Sequence, residues 1–309
     1  MSSTHEEARM MQEQAAAPGV AASISQFSRP PRTFWGDAFY RLRRHPIGMV
    51  GLVIVVLLVL LALLGPYLAP YDPNEMDFAQ RFAPPSLAHP MGADDFGRDT
   101  LSRIMVGARV SLMVGIIAVS IAGTVGSLLG IIAGYSRRAV DETIMRVMDI
   151  IFAFPAILLA IAILAALGKG VANAMIAIGI VYIPIFARIA RGAVLGVRKQ
   201  EFVEAARATG AKDRRILAQH IFPNSLAPLI VEVSLSLAFA ILAEAALSFF
   251  GLGTQPPDPS WGRMLSEARG YINQSVWMSI FPGLAIMFTV MGFNFLGDGL
   301  RDVLDPRLK

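Results

Sequence analysis

Long apolar segments dominate the chain, and shorter polar segments separate them. Six apolar segments approach or exceed the length of about 20 residues that a helix needs to cross a bilayer. They are Ile47–Leu68, Val110–Ala133, Val147–Leu167, Ala172–Ile189, Leu226–Phe249 and Val276–Leu296. The pattern therefore predicts an all-α polytopic membrane protein with six transmembrane helices.

Composition and charge agree with this pattern. Of the 309 residues, 55% are hydrophobic and 16% are charged, whereas a soluble domain has roughly 45–50% apolar and about 25% charged residues. Cysteine is absent, which excludes disulfides, thiolate metal sites and a cysteine nucleophile. The basic residues behind the net charge of +4 cluster beside the apolar segments, so we expect a lipid bilayer and no nucleic acid as partner.

The basic clusters also orient the predicted helices. Arg41, Arg43 and Arg44 precede the first apolar segment, and a larger basic group lies between the fourth and fifth segments. Lys and Arg are enriched on the cytoplasmic side of membrane proteins. The segment after the first helix is acidic, and six crossings then place both termini in the cytoplasm.

These features divide the chain into four regions. Residues 1–46 are expected to form a cytoplasmic tail, disordered over residues 1–28, and an amphipathic helix over residues 33–45 on the membrane surface. The remaining regions are a first transmembrane helix (47–69), an external loop (70–107) and a five-helix core (108–309).

Small residues and prolines predict how the core helices pack. In the second apolar segment a small residue recurs at every fourth position, which allows close approach of another helix. These residues are Ala118, Ala122, Gly126, Gly130 and Gly134. Pro155 and Pro184 each remove a backbone donor, so we expect kinks in the third and fourth helices.

The sequence excludes several kinds of catalytic site. The four His residues lie outside the predicted membrane helices, so an intramembrane Ser–His site is absent. Lys169 lacks the preceding Gly and following Ser or Thr of a phosphate loop. We therefore expect no enzymatic activity, and no ATP, cofactor or metal bound by this chain.

The cytoplasmic segment 201–223 carries a helical pattern. Phe202, Ala205, Ala206 and Thr209 fall on one helix face, and Gly210 is placed to end that helix in a left-handed conformation. A second helical pattern follows at Ile216, Leu217, His220 and Ile221, and Pro223 is expected to end it. The segment is interpreted either as a rigid helix-turn-helix that seats in another protein or as an amphipathic loop resting on lipid.

The residues of this segment resemble the EAA loop of permease subunits of binding-protein-dependent ABC importers. The resemblance rests on Glu204-Ala205-Ala206, Gly210 and Pro223, with His220 and Phe222 departing from the usual Ile and Leu. It implies a type I ABC importer permease fold with a cytoplasmic coupling helix. The residues it implies for ATPase coupling are Glu201, Glu204, Ala205, Ala206, Gly210 and Pro223.

A second motif narrows the resemblance. The segment 89–99, entering the second membrane helix, is similar to the external loop of C-type permeases for dipeptides, oligopeptides, glutathione and nickel. Its signature residues are His89, Gly92, Asp94, Gly97, Arg98 and Asp99. Segments 251–262 and 297–306 resemble the same branch.

The resemblance implies a multi-subunit importer in the bacterial inner membrane. Its partners would be a B-type permease, two cytoplasmic ATPases that bind ATP and Mg²⁺, and an external substrate-binding protein. The implied cargo is dipeptides or oligopeptides, with glutathione and nickel as alternatives. An ATP-independent secondary carrier is a less favoured reading, since no internal repeat is evident.

Two acidic residues lie within the predicted membrane helices. Glu232 and Glu244 both belong to the fifth helix. A charged group facing lipid costs about 2.5–3.5 kcal/mol on insertion scales, so each is expected to face protein or a water-filled pathway. Glu232 is a candidate for meeting the amino group of a peptide, whereas Glu244 is expected to form an interhelical hydrogen bond.

Overall fold

The computed structural model describes residues 34–304, and eleven α-helices lie within that range. We number them α1 to α11 in chain order. They are α1 (Phe34–Leu42), α2 (Pro46–Leu68), α3 (Thr100–Tyr135), α4 (Arg138–Phe152), α5 (Ala156–Leu167), α6 (Val171–Val197), α7 (Glu201–Ala208), α8 (Asp213–Ile216), α9 (Phe222–Phe249), α10 (Trp261–Ala268) and α11 (Trp277–Leu304). Strands are absent from the described residues, so the predicted all-α class is confirmed.

α1 belongs, up to Arg41, to a different compact unit from the remaining helices, and the second unit begins at Leu42. α1 occupies the segment in which the amphipathic pattern predicts a helix. Its position on a membrane surface stays a prediction. The tail expected over residues 1–28 and the end of the motif at 305–306 lie outside the described residues.

Small residues allow α3 and α6 to pack closely. The five small residues predicted to form a packing face on α3 are all buried. A Cβ atom added to Gly126 would lie 2.5 Å from the Ile183 carbonyl oxygen, and Gly130 lies directly against the Ala187 carbonyl. Residue numbers therefore rise together along the contact, which shows that α3 and α6 run parallel.

Parallel packing of α3 and α6 requires the chain between them to return across the membrane. α4 and α5 form this connection, bent by 91° at the short break that contains Pro155. Five single helices and this bent pair therefore make six crossings, as the hydropathy pattern predicts. The kink expected at Pro155 is a complete break, whereas α6 continues without interruption through Pro184.

The ends of α2 and α11 meet on one side of the membrane. His45 Nε2 lies 3.1 Å from Asp302 Oδ2, and His45 Nδ1 accepts the hydrogen bond of Gly48 N and so caps α2. A Cβ atom added to Gly48 would lie 3.0 Å from Gly299 Cα, so the two helix backbones nearly touch. We call this side the His45 face and the opposite side, where α3 begins, the Arg98 face.

Several helices are longer than hydropathy predicts. α3 begins at Thr100 because the Asp99 side chain accepts the hydrogen bond of Ser102 N at 2.8 Å. α6 extends to Val197 and α11 to Leu304. Hydropathy reports the lipid-spanning part of a helix, and these polar turns continue beyond it.

Candidate functional site

α7 carries four of the six residues predicted for ATPase coupling. Val203 is fully buried beneath the helix, whereas Glu201, Glu204 and Ala205 are exposed and Ala206 is half-buried. The exposed surface of α7 therefore carries two carboxylates, with the small side chain of Ala205 beside Glu204, and Phe202 and Arg207 are exposed as well. Such a surface lets a complementary groove approach the backbone closely.

Gly210 ends the loop helix as expected. Its φ of +79° lies in the left-handed region that favours glycine, and nothing lies within 4 Å of an added Cβ atom. The constraint at this position is therefore the backbone conformation rather than lack of space.

The expectation that Pro223 ends a second loop helix is wrong. α8, a π-helical turn at Leu217–Ile221 and α9 follow one another without a break, so Pro223 lies in the first turn of α9. Pro223 closely follows the π-helical turn, and local π-helical adjustments of this kind accommodate the backbone N–H that proline lacks. The loop is therefore continuous with the fifth membrane helix, which gives α7 a mechanical connection to the core.

Side chains from three helices anchor the loop to the membrane core. Val203, Ile216 and Ile221 form a buried cluster with Val194 of α6. Tyr135, the last residue of α3, donates its hydroxyl hydrogen bond to Asp213 Oδ1 of α8. The sequence pattern indicates the apolar cluster, but Tyr135 lies far from Asp213 along the chain and was not predicted as its partner.

The external-loop signature builds a buried ionic network on the Arg98 face. Arg98 Nε donates to Asp94 Oδ2 at 2.6 Å, and Arg98 Nη2 donates to Glu267 Oε2 of α10 at 3.1 Å. Arg103 Nη2 also donates to Glu267 at 3.3 Å. The network joins the loop, the first turn of α3 and α10.

The other signature residues fix the backbone around this network. Asp99 caps α3 and contacts His89 Nδ1 at 2.9 Å through its other oxygen. Gly92 and Gly97 have φ values of +74° and +75°, and each lies against the carbonyl of another part of the loop. The six residues are therefore all brought together in one folded loop. The network partners Arg103, Arg263 and Glu267 were missed, although the i, i+4 spacing of Arg263 and Glu267 signals an ion pair.

Three carboxylates of this network are close enough to suggest a cation site. Oxygen atoms of Asp94, Asp95 and Glu267 lie within 4.8 Å of one another. The Arg98 guanidinium contacts all three carboxylates, and Arg103 and Arg263 balance the remaining negative charge. The arrangement is therefore a neutral ionic network rather than a metal centre. Burial raises the pKa of the Asp95 carboxyl, and the adjacent Asp94 raises it further.

Glu244 is enclosed within the core. Its side chain is fully buried and accepts hydrogen bonds from Ser248 at 2.7 Å and from Ser111 of α3 at 3.4 Å. Thr254 lies at 3.5 Å from the same carboxylate. Its hydrogen-bonding partners are hydroxyl groups contributed by α3, α9 and the loop before α10.

Glu232 is in a more open environment than Glu244. It is half-buried on α9, and Ser236 Oγ donates to Glu232 Oε1 at 2.8 Å. Within residues 34–304 no ion pair involves Glu232. The structure therefore separates the two predicted pathway carboxylates into one enclosed group and one accessible group.

Comparisons with known proteins identify the fold and the family. Residues 126–309 match the binding-protein-dependent transport system inner membrane component, and residues 33–85 match the N-terminal TM domain of oligopeptide transport permease C. The chain is 50% identical to the dipeptide transport system permease protein of Alkalihalophilus pseudofirmus, over 89% of this chain and 90% of that protein. It is 45% identical to the glutathione transport system permease protein of Pectobacterium atrosepticum, over 90% and 93% of the two chains.

The fold is also similar to a solved structure. A chain from inward-facing conformations of the MetNI methionine ABC transporter aligns with a TM-score of 0.55 and 18% identity, over 64% of this chain and 94% of that chain. The fold and the loops thus define a permease of the ABC importer class. Within that class, the chain belongs to the family of binding-protein-dependent transport system inner membrane components, in its C-type peptide-permease branch.

Proposed function

We propose that this chain forms, with a B-type permease, the pathway through which an ABC importer takes up dipeptides or oligopeptides. The observation that carries the proposal is α7, an exposed helix with Glu201, Glu204 and Ala205 on its surface. It is anchored through the buried Val203 cluster, which includes Val194 of α6 and against which Tyr135 of α3 packs, and the turn at Gly210 joins it to the continuous helix of α8 and α9. A displacement of α7 is transmitted directly to three membrane helices. This is the connection that an external energy source needs to move a gate.

The energy for gating is assigned to partner subunits. Moving a two-state gate from 1:99 to 99:1 takes about 5.5 kcal/mol of differential binding. The chain lacks a phosphate-loop motif, so we assign ATP and Mg²⁺ to two cytoplasmic ATPases that dock beneath α7. Glu204 anchors the contact, and Ala205 and Ala206 permit close seating.

We place the protein in the bacterial inner membrane with the His45 face in the cytoplasm. The eight Lys and Arg residues between positions 188 and 215 support this orientation. Both termini are then cytoplasmic, and the Arg98 face receives the external binding protein.

Peptides are favoured over the other cargo. The similarity to a dipeptide permease and to a glutathione permease supports cargo with peptide bonds, and glutathione remains the alternative within this class. Nickel is less favoured, since the carboxylate cluster on the Arg98 face is neutralised by arginines. An ATP-independent carrier is less favoured because the chain belongs to a family of binding-protein-dependent transport components.

Cross-linking tests the docking of α7. Because the natural chain has no cysteine, Ala205→Cys introduces a single thiol on α7. Oxidation in the assembled complex should link it to a cysteine placed in the groove of the ATPase subunit, whereas Leu87→Cys, fully exposed on the Arg98 face, should not link. Linking of Leu87→Cys alone would contradict the proposed docking.

Function and assembly are then separated with a charge reversal. Glu204→Lys should abolish ATP-dependent uptake while leaving the amount of subunit in the membrane unchanged, because the side chain is exposed and forms no ion pair within residues 34–304. Normal uptake by this variant would remove Glu204 from the coupling contact.

A further inference from the structure

A cavity of about 230 Å³ lies between α5, α6 and α9. Its walls are apolar, and Tyr182 supplies the hydroxyl group among the lining side chains. Representative lining residues are Ala160, Val181, Tyr182, Phe239, Ala243 and Leu247. The cavity is smaller than the roughly 300–1,000 Å³ of pockets that enclose a whole drug-sized ligand, so its size suits a single side chain.

The cavity lies on the same face of α9 as Glu232. At 100° per residue, positions 232, 236, 239, 243 and 246 fall within about 40° of one direction. Three of these positions, Phe239, Ala243 and Ala246, line the cavity. Glu232 and Ser236 therefore continue its wall toward the His45 face.

The carboxylate of Glu232 is directed toward the cavity. Its hydrogen bond to Ser236 Oγ at 2.8 Å draws the side chain one turn along α9, next to the turn at which the lining begins. Tyr182 is the last lining residue along α6, which runs toward the His45 face, so it stands at the end of the cavity nearer that face. An acidic group and a phenol thus stand at one end of an apolar cavity, and within residues 34–304 no Lys or Arg neutralises this carboxylate.

We propose that the cavity receives the apolar side chain of the amino-terminal residue of a peptide in transit, while Glu232 binds its ammonium group. An amino-terminal Leu or Phe joins a cation to an apolar side chain. Phe239, the lining residue of α9 nearest to Glu232 in sequence, is seven residues or about 10 Å of helix rise away, a span that the Glu232 side chain and an amino-terminal residue bridge together. A lipid tail would fill the cavity but would offer no cation to the Glu232 carboxylate. The inference rests on the proposed peptide-import function.

The test uses the complete complex in proteoliposomes with its binding protein and ATP. Initial uptake rates of the dipeptides Leu-Ala and Gly-Ala are measured for each variant and divided by the wild-type rates, so the preference of the binding protein cancels. Ala243→Leu fills the cavity, and it should lower Leu-Ala uptake at least ten-fold while leaving Gly-Ala uptake within two-fold of wild type.

Two further variants make the test specific. Ala162→Leu makes the same change on the exposed side of α5 and should affect neither peptide. Glu232→Gln should lower the uptake of both peptides equally, since both carry an ammonium group. Phe239→Ala enlarges the cavity and should raise the uptake of Trp-Ala relative to Leu-Ala, which tests the proposal even where Ala243→Leu fails to assemble.

Three outcomes would contradict the proposals, and the experiment distinguishes them. Equal Leu-Ala and Gly-Ala ratios for Ala243→Leu, together with an unchanged Trp-Ala to Leu-Ala ratio for Phe239→Ala, would overturn the cavity assignment. Loss of B-type permease from the Ala243→Leu complex would instead show that a partner side chain fills the cavity, and would also overturn it. Wild-type complex that transports neither these dipeptides nor longer peptides would contradict the proposed function itself.

Discussion

Asp94 and Asp95 are adjacent buried carboxylates that differ in their hydrogen bonding. Asp94 accepts hydrogen bonds from Phe96 N, Arg98 N and Arg98 Nε at 2.6–3.0 Å. Asp95 Oδ1 accepts none and lies 3.6 Å from Arg98 Nη2. Because breaking a buried ion pair costs about 3–5 kcal/mol, Asp94→Asn should lower the thermal midpoint of the solubilised complex, whereas Asp95→Asn should raise it.

The effect at Asp95 depends on pH in a defined direction. Burial raises the pKa of its carboxyl above the ordinary value of 3.8, so the folded state binds this proton more tightly than the unfolded state. The contribution of this carboxyl to the stability of the folded protein therefore falls as pH rises from its ordinary pKa through its raised pKa. The advantage of Asp95→Asn should be present at pH 7 and vanish near pH 3.5. A lower midpoint for Asp95→Asn at pH 7 would show that its charge stabilises the network.

The partners of Glu244 predict which replacement the site tolerates. Its neighbours are hydroxyl groups, which both donate and accept hydrogen bonds, so Glu244→Gln should keep assembly and uptake near wild type. Glu244→Leu leaves these buried hydroxyls without their acceptor, at about 1–3 kcal/mol each, and should reduce the assembled subunit. Loss of uptake by fully assembled Glu244→Gln would show that the carboxylate acts in transport.

The contact between α3 and α6 gives a prediction about elements. Gly130→Val forces a side chain into the Ala187 carbonyl and should cost at least the 1–3 kcal/mol of a typical overpacked core site. Gly192→Ala in α6 meets nothing within 4 Å, and it should be neutral or improve stability by up to about 1 kcal/mol. Quantified subunit in membranes compares the two. Equal amounts of both variants would contradict the close packing of α3 and α6.

The hydrogen bond between Tyr135 and Asp213 predicts how coupling is transmitted. A hydrogen bond of about 1 kcal/mol corresponds to about a five-fold change in an equilibrium, so Tyr135→Phe should lower peptide uptake per ATP hydrolysed two- to five-fold without lowering ATPase activity. Asp213→Asn keeps the acceptor oxygen and should retain coupling.

A double variant separates this pair from general damage. Asp213→Ala should resemble Tyr135→Phe, and combining the two changes should be no worse than either alone, because both remove the same contact. Additive losses would mean that the two residues act independently.

The positions of the membrane helices were largely predictable from the sequence. A continuous apolar segment of about 20 residues crosses a bilayer as a helix, because its backbone groups must be hydrogen-bonded within the segment. The small residues of α3 likewise predict close packing, since residues at every fourth position share one helix face. The parallel pairing of α3 with α6 was not predictable, because a small-residue face does not specify its partner. Pro155 predicts a disturbance but not a 91° break.

The same distinction between local features and contacts of distant residues applies to the candidate site. Gly210 and α7 follow from local pattern, since a left-handed glycine and helical spacing are properties of neighbouring residues. The Arg98 to Glu267 contact joins residues far apart in sequence and depends on tertiary packing. The cavity beside Glu232 combines three helices and has no signature in any one of them.

At the scale of the whole molecule, the described chain has two differently built ends. On the Arg98 face, a neutral ionic network locks the loop, α3 and α10 into one body. On the His45 face, α7 is exposed, and the turn at Gly210 joins it to the continuous helix of α8 and α9. A rigid Arg98 face and an exposed α7 on the opposite face agree with the proposal that partner subunits move this chain from its His45 face.

The most direct measurement of this account is peptide uptake by the reconstituted complex with and without ATP hydrolysis. Proteoliposomes holding this chain, a B-type permease and the two ATPases are given binding protein and labelled dipeptide, with ATP inside or a non-hydrolysable analogue in its place. We expect accumulation against a gradient only with ATP and only when both ATPases are present. Accumulation by the two permeases without ATPases, driven by an ion gradient, would contradict the account.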